Sequence, residues 1–280
     1  MEEFLFFIGF VGMLLASVQD IKEREIDNIL NFSLLALGLS WGAFNAVFSH
    51  NYLILLYAVL GFFIFLAIGN LFYYSRVFAG GDAKLLIALG PFIFIGSNII
   101  QNLEYAFYFI LLFLIVGSLY GLVYSMIVSI RNFNEFSKHF KQEISRKKFL
   151  LFISFIFFII FLAISFYVNQ IFLFIAFLFL VSPFLFLYAR SVEKGSMIKE
   201  IDYESVREGD WLYKTIKIRG KIINPSWSGL SKKDVALIKK ARKNVVIRDG
   251  IPFVPAIFGA YILFAAYFFG LLDFGFAFFG

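Results

Sequence analysis

Phe78-Ala79-Gly80-Gly81-Asp82-Ala83-Lys84-Leu85-Leu86 places a carboxylate behind two glycines, at the mouth of an apolar run that continues to residue 100. An earlier apolar run, residues 4–18, ends in a similar way, with Val18-Gln19-Asp20 ahead of a charged loop. If the runs at 29–48 and 52–74 between them are helices that cross a bilayer, two crossings separate the acids and both return to one membrane face. Acids at the membrane boundary of two different helices are expensive unless they have a task. The pair therefore suggests an aspartyl hydrolase.

Working outward, the 280-residue chain is 61% hydrophobic and 16% charged with a mean hydropathy of +0.86, a composition that leaves too little polar surface for a soluble domain. Apolar runs lie at residues 4–18, 29–48, 52–74, 85–100, 105–130, 149–168, 171–189 and 251–272. Most approach the roughly 20 residues a helix needs to span a bilayer. The expected fold is an all-α polytopic membrane protein of about eight transmembrane helices, with a small cytoplasmic α+β domain before the last one. The first run follows Met1-Glu2-Glu3, with no basic residue before it and no small-residue cleavage pattern after it, so it is expected to be a retained span.

Charge orders the loops. All 25 Lys and Arg fall at residues 19–28, 75–84, 131–148 and 190–250, which alternate with loops holding only acidic and neutral residues. The positive-inside rule then puts both termini outside and Asp20 and Asp82 on the cytoplasmic side. The expected organisation is a catalytic membrane core at 1–130, a basic cytoplasmic loop with two further helices at 131–189, a polar domain at 190–250, and a final helix with an outer tail at 251–280. Within the polar domain, residues 216–223 alternate as a strand does, Ser231-Lys232-Lys233-Asp234 has the form of a capping box opening a basic helix to about Lys243, and 245–247 reads as a short strand. With about 60 residues, this domain has little core of its own and is expected to pack on the membrane part or on lipid.

The absence of cysteine excludes disulfides, thiolate catalysis and cysteine-ligated metal centres, and His50 and His139 lie in separate loops. No metal site and no cofactor are expected. The net charge of +6 follows from loop asymmetry, so the expected partner is membrane lipid and not nucleic acid.

Taken alone, Asp82 is equally a helix cap whose carboxylate accepts free backbone N–H groups, and Asp20 an interfacial acid. Together they support peptide hydrolysis. Two carboxylates within hydrogen-bond reach share one proton; the ionised member takes a proton from water while the protonated member polarises the scissile carbonyl.

Three stretches carry a resemblance: Asp20-Ile21-Lys22-Glu23-Arg24-Glu25-Ile26-Asp27-Asn28, Ala79-Gly80-Gly81-Asp82-Ala83-Lys84-Leu85-Leu86, and Gly250-Ile251-Pro252-Phe253-Val254-Pro255. The chain resembles the archaeal prepilin and preflagellin peptidases, relatives of the bacterial type IV prepilin peptidases, over residues 1–130 and the final span. That resemblance implies a membrane aspartyl protease using Asp20 and Asp82, without a cofactor, that removes the short basic leader (type III signal peptide) from pilin-like or archaellin precursors at the cytoplasmic face. Ala79 stands where the family's Gly-x-Gly-Asp pattern has its first glycine, and a positive φ there would be strained. Asp27-Asn28 replaces a proline-asparagine, and the cysteine-rich insert of bacterial members, with its link to methylation, is missing. Lys84 matches a family lysine that would tune the acid pair or hold the loop; a lysine snorkelling at a helix end is the alternative. Glu23, Glu25 and Asp27 would receive the basic leader, unless they form only a solvated loop. Pro252 and Pro255 match a family motif and also suit the start of any helix.

Two other classes remain open. Presenilin-type and signal-peptide-peptidase-type proteases share Gly-x-Gly-Asp, but carry their other aspartate in a Tyr-Asp context inside a span. A transporter would use the acids as proton or cation sites, although transporters place such groups near the midplane.

Overall fold

The computed structural model describes residues 2–218, 220–227 and 229–272, so the expected outer tail lies outside the described residues. In chain order the elements are α1 (Glu2–Glu23), α2 (Asn28–Phe48), α3 (Leu53–Tyr74), α4 (Gly80–Ala88), α5 (Gly90–Ile93) and α6 (Ile99–Arg131). There follow α7 (Phe133–Arg146), α8 (Lys148–Tyr167) and α9 (Ile171–Val192), which runs into a π turn at Glu193–Met197. The polar part comprises β1 (Ile198–Ile201), β2 (Trp211–Leu212), β3 (Ile216–Ile218), β4 (Lys221–Ile223), α10 (Lys232–Ala241) and β5 (Val245–Arg248), and α11 (Val254–Phe268) closes the series. The chain divides into two compact units: Met1–Leu122 with Ile251–Gly280, and Val123–Gly250.

Among the described residues six helices are long and apolar enough to cross a membrane: α1, α2, α3, α6, α8 and α9 with its π turn. The other two expected spans take a different form. Residues 85–100 do not form one helix. The chain breaks at Leu89-Gly90-Pro91, where Pro91 has no N–H to continue the ladder, and again between Ile93 and Ile99. The last span is a helix of 15 residues, about 22 Å long, against the ~30 Å of a bilayer core.

In the first unit the helices meet through glycines. A Cβ on Gly61 of α3 would lie 2.5 Å from the Gly90 carbonyl oxygen, and one on Gly69 would lie 3.0 Å from the Ala83 carbonyl oxygen. These contacts run α4 and α5 antiparallel along α3 at backbone distance. Phe65, Phe92, Phe94, Phe109 and Phe264 fill the core they leave, all essentially inaccessible.

In the second unit α8 and α9 pack as a hairpin with most of their phenylalanines exposed. Pro183, inside α9, cannot donate to the Phe179 carbonyl one turn back. The Ser154 hydroxyl of α8 donates to that oxygen instead, as a freed carbonyl in an apolar medium requires. The basic stretch after Arg131 is a helix and not a loop, and it carries His139. It packs on α9 through Phe136, whose ring meets Tyr188 at 5.7 Å, and through the ion pair of Glu143 with Lys194.

The polar domain is a three-stranded antiparallel sheet in the order β1-β5-β2 beside a β3-β4 hairpin. Residues 216–223 are thus two strands, turned at Gly220 with φ +83°. The capping box is present: the Ser231 hydroxyl accepts from the Asp234 N–H, and α10 ends at Ala241 with Arg242 in the left-handed conformation. The expected strand at 245–247 is β5 at the centre of the sheet, whereas β1 and β2 were not legible beforehand.

Candidate active site

Asp20 is the last member of the buried stripe of α1, after Leu5, Gly9, Gly12, Met13, Ala16 and Ser17. That spacing turns its carboxylate inward, and the residue is only 5% exposed. Arg24, with φ +60°, then ends the helix, its N–H donating to the Asp20 carbonyl at 3.0 Å. The Val254 N–H at the start of α11 donates to Asp20 Oδ2 at 2.9 Å, across 234 residues of sequence. Pro252 and Pro255 flank this donor, and Pro255 occupies a first-turn position where its missing N–H leaves no helical bond unmade.

Asp82 is the third residue of α4, one turn inside the helix and not at its cap position. Its carboxylate reaches back to the Ala79 N–H, the half of a capping box that a residue at this position supplies. Burial, and next to it the charge of Asp20, push the Asp82 carboxyl up to about 7. The two acids are therefore near enough to resist joint ionisation. Asp82 stands at the mouth of α4, outside the six crossing helices.

Ala79 adopts φ −69° and ψ 164°, ordinary extended backbone, so alanine in place of the family's glycine carries no strain. Cβ atoms on Gly80 or Gly81 would meet their neighbours only at van der Waals distance, Tyr73 at 3.8 Å and Ile26 at 3.5 Å. Gly81 thus lies where the start of α4 passes the chain leaving α1, and Gly80 lies beside the end of α3. Lys84 donates from Nζ to Asn28 Oδ1 at 2.7 Å and so ties α4 to the start of α2. Glu23, the last residue of α1, and Glu25 and Asp27 on the loop after it are all exposed. Asp27 is engaged by Gln19, which donates to Oδ2 at 2.9 Å and accepts the Asp27 N–H at 3.3 Å, and this closes the loop without the proline.

Sequence reasoning missed what holds Val254 in place. Phe253 packs on Phe78 at 5.7 Å and on Phe113 at 5.8 Å, joining the start of α11 to the residues that lead into α4. A Cβ on Gly117 would lie 2.8 Å from the Phe253 ring, so glycine makes the room. The Gly-Ile-Pro-Phe-Val-Pro stretch was the signal available, although its contact with Asp20 was not.

Residues 7–126 match the type IV leader peptidase family. The matched segment contains Asp20, Asp82, Gly80, Gly81 and Lys84, while α11 lies beyond it. The chain is similar to the preflagellin peptidase of Methanocaldococcus jannaschii, 33% identical over 88 residues that make up 31% of this chain and 37% of that protein. The Methanococcus maripaludis preflagellin peptidase is 28% identical over 134 residues, 45% of this chain and 58% of the relative. That of Methanococcus voltae is 34% identical over 86 residues, 31% and 36%. The chain thus spans between 36% and 58% of the length of these relatives. The resemblance to the leader peptidases is shown by these matches, and the family match contains the first two motif stretches but not the third, residues 250–255.

Proposed function

We propose that this protein is a membrane aspartyl endopeptidase that removes the short basic leader from pilin-like or archaellin precursors at the cytoplasmic face. The observation that carries the proposal is the meeting of Asp20 and Asp82, from the ends of two different helices, inside the segment that matches the leader peptidases. Between the acids stand α2 and α3, both long enough to cross, so the return to one face needs no assumption about the broken segment. The basic loops make that face cytoplasmic.

The environments of the two acids divide their roles. Asp20, which accepts the Val254 N–H, holds the negative charge, and Asp82 holds the shared proton. Asp20 takes a proton from water, the resulting hydroxide adds to the scissile carbonyl carbon, and Asp82 gives its proton to the carbonyl oxygen. The tetrahedral adduct then collapses: the C–N bond breaks, the amine nitrogen takes the proton held by Asp20, and Asp82 recovers its own from the hydroxyl that becomes the carbonyl. No metal is needed for these steps. Glu23, Glu25 and Asp27 offer an exposed acidic rim for the basic leader, and Lys84 positions the loop through Asn28.

The test is to incubate membranes holding the protein with a tagged preflagellin and look for the leaderless product. Asp20→Asn and Asp82→Asn should each lower turnover by at least about 10³-fold, and the double variant should be no worse than either. Substantial turnover by either single variant in correctly inserted protein would remove the acid pair from the mechanism.

A further inference from the structure

Asn31, one turn into α2, is 2% exposed, and among the described residues neither atom of its side-chain amide has a hydrogen-bond partner. Of the other polar residues described as fully buried in this unit, each is engaged, while half-buried Asn45, further along α2, leaves its Oδ1 unmatched. Ser17 donates to the Met13 carbonyl at 2.8 Å, Asn102 binds Gly96 and Asn98, and Asp20 accepts the Val254 N–H. A buried amide left unmatched lowers stability, and such groups in folded proteins call for an explanation.

Its surroundings fix where it points. Three residues further on, Leu34 fills the hollow that Gly12 of α1 provides. Three residues before, Asn28 receives the Lys84 amine of α4. Asn31 therefore lies on the face of α2 turned toward α1 and α4, the two helices that carry the acids, on the membrane side of the Asn28–Lys84 contact.

Building on the peptidase reading above, we propose that Asn31 is a positioning residue for the acid pair. Its Nδ2 donates a hydrogen bond to a bound water that in turn donates to the ionised member, and so fixes which carboxyl holds the shared proton. The titratable and charged groups that face this position are Asp20 on α1, Arg24 and Asp27 on the loop after it, and Asp82 and Lys84 on α4. α3 and α11 contribute tyrosines but no charged side chain, and α5 contributes neither. Removing a donor from the ionised form makes that form harder to reach, so the acid limb of the pH–kcat profile should move upward.

Asn31→Leu, which is close in volume and apolar, separates role from scaffold. The variant should insert and fold, since leucine fills nearly the same space. Its kcat on preflagellin should fall at least tenfold with little change in KM, and its acid limb should shift to higher pH. Asn31→Ser, which keeps a donor, should recover part of kcat and a parental pH profile, whereas Asn31→Ala should not. This pair settles the matter if the leucine variant fails to insert. Full kcat and an unmoved acid limb in Asn31→Leu, or equal activity of the serine and alanine variants, would overturn the role of Asn31 while the aspartate variants still report the peptidase. If the parent leaves preflagellin uncut, or the aspartate variants cut normally, the peptidase reading fails and this proposal falls with it.

Discussion

Proline interrupts two apolar segments of this chain, and the two places deal with it in opposite ways. At Pro91 the helix gives way: Leu89-Gly90-Pro91 divides α4 from α5, and the broken backbone lies buried against α3, with Gly61 and Gly90 in near-contact. At Pro183 the helix continues, and a hydroxyl from the neighbouring helix supplies the missing donor. The first solution needs close packing on every side and produces a segment whose start carries Asp82. The second needs one side chain and leaves the phenylalanines of α8 and α9 facing outward, where lipid would be. Irregular backbone at membrane depth is tolerated only where protein covers it, so the site is found in the densely packed unit and not in the lipid-facing hairpin.

That contrast can be tested, and the largest effect concerns protons. Burial raises the Asp82 carboxyl to about 7, so under the proposed mechanism, in which Asp82 is the protonated partner, activity should decline as pH rises past that value, by about tenfold per unit well above it. A pH series with preflagellin measures this, and a flat profile between pH 6 and 9 would contradict the assignment. No variant of α8 or α9 should move the profile.

Packing comes next. Gly90→Ala brings a methyl group onto the backbone of Gly61 and should destabilise by about 1–3 kcal/mol. Gly121→Ala, with nothing within 4 Å, should be neutral or stabilising by up to about 1 kcal/mol. Thermal aggregation of detergent-purified variants ranks them, and equal shifts would mean that the close approach of α3 and α5 is not under strain.

A smaller effect is expected in the hairpin. Ser154→Ala should cost about 1 kcal/mol by leaving the Phe179 carbonyl unmet. In a Pro183→Ala background the helix can bond that carbonyl itself, so the same change should cost almost nothing. Additive losses in this double-mutant cycle would show that the hydroxyl is incidental.

The smallest effect belongs to the exposed rim. Neutralising Glu23, Glu25 and Asp27 should raise KM for a basic leader by about two- to five-fold, less at high salt, and leave kcat nearly unchanged. A leader with its Lys and Arg replaced by Gln should respond less, and an equal response would leave the rim a solvated loop.

What could be read from sequence follows the range of each interaction. The Gly80-Gly81-Asp82 stretch, the loop charges and the Ser231 capping box are local patterns, each legible in a few adjacent residues, whereas pairing Asp82 with Asp20 also requires counting the crossings between them. Gly90-Pro91 was also in view, but the hydropathy of 85–100 concealed the break, because a buried broken helix and a continuous span share the same composition. In sequence the β3-β4 hairpin reads as one strand because alternation persists across a turn that Gly220 makes possible. Strands of two to four residues such as β2 and β1 owe their existence to β5 and carry little signal of their own. The Val254 donor and the orientation of Asn31 depend on contacts between distant helices, which no local pattern encodes.

The hydrogen bond from Val254 to Asp20 also sets an order in time. Both acids belong to the early part of the chain, yet the donor that steadies one of them emerges 234 residues after it. During synthesis the membrane therefore holds a chain with both aspartates in place and the support for their charge still unmade. Insertion of the final helix is the event that brings this donor to Asp20, so a chain cut short before Ile251 would keep both aspartates and lack the bond that joins one of them to α11.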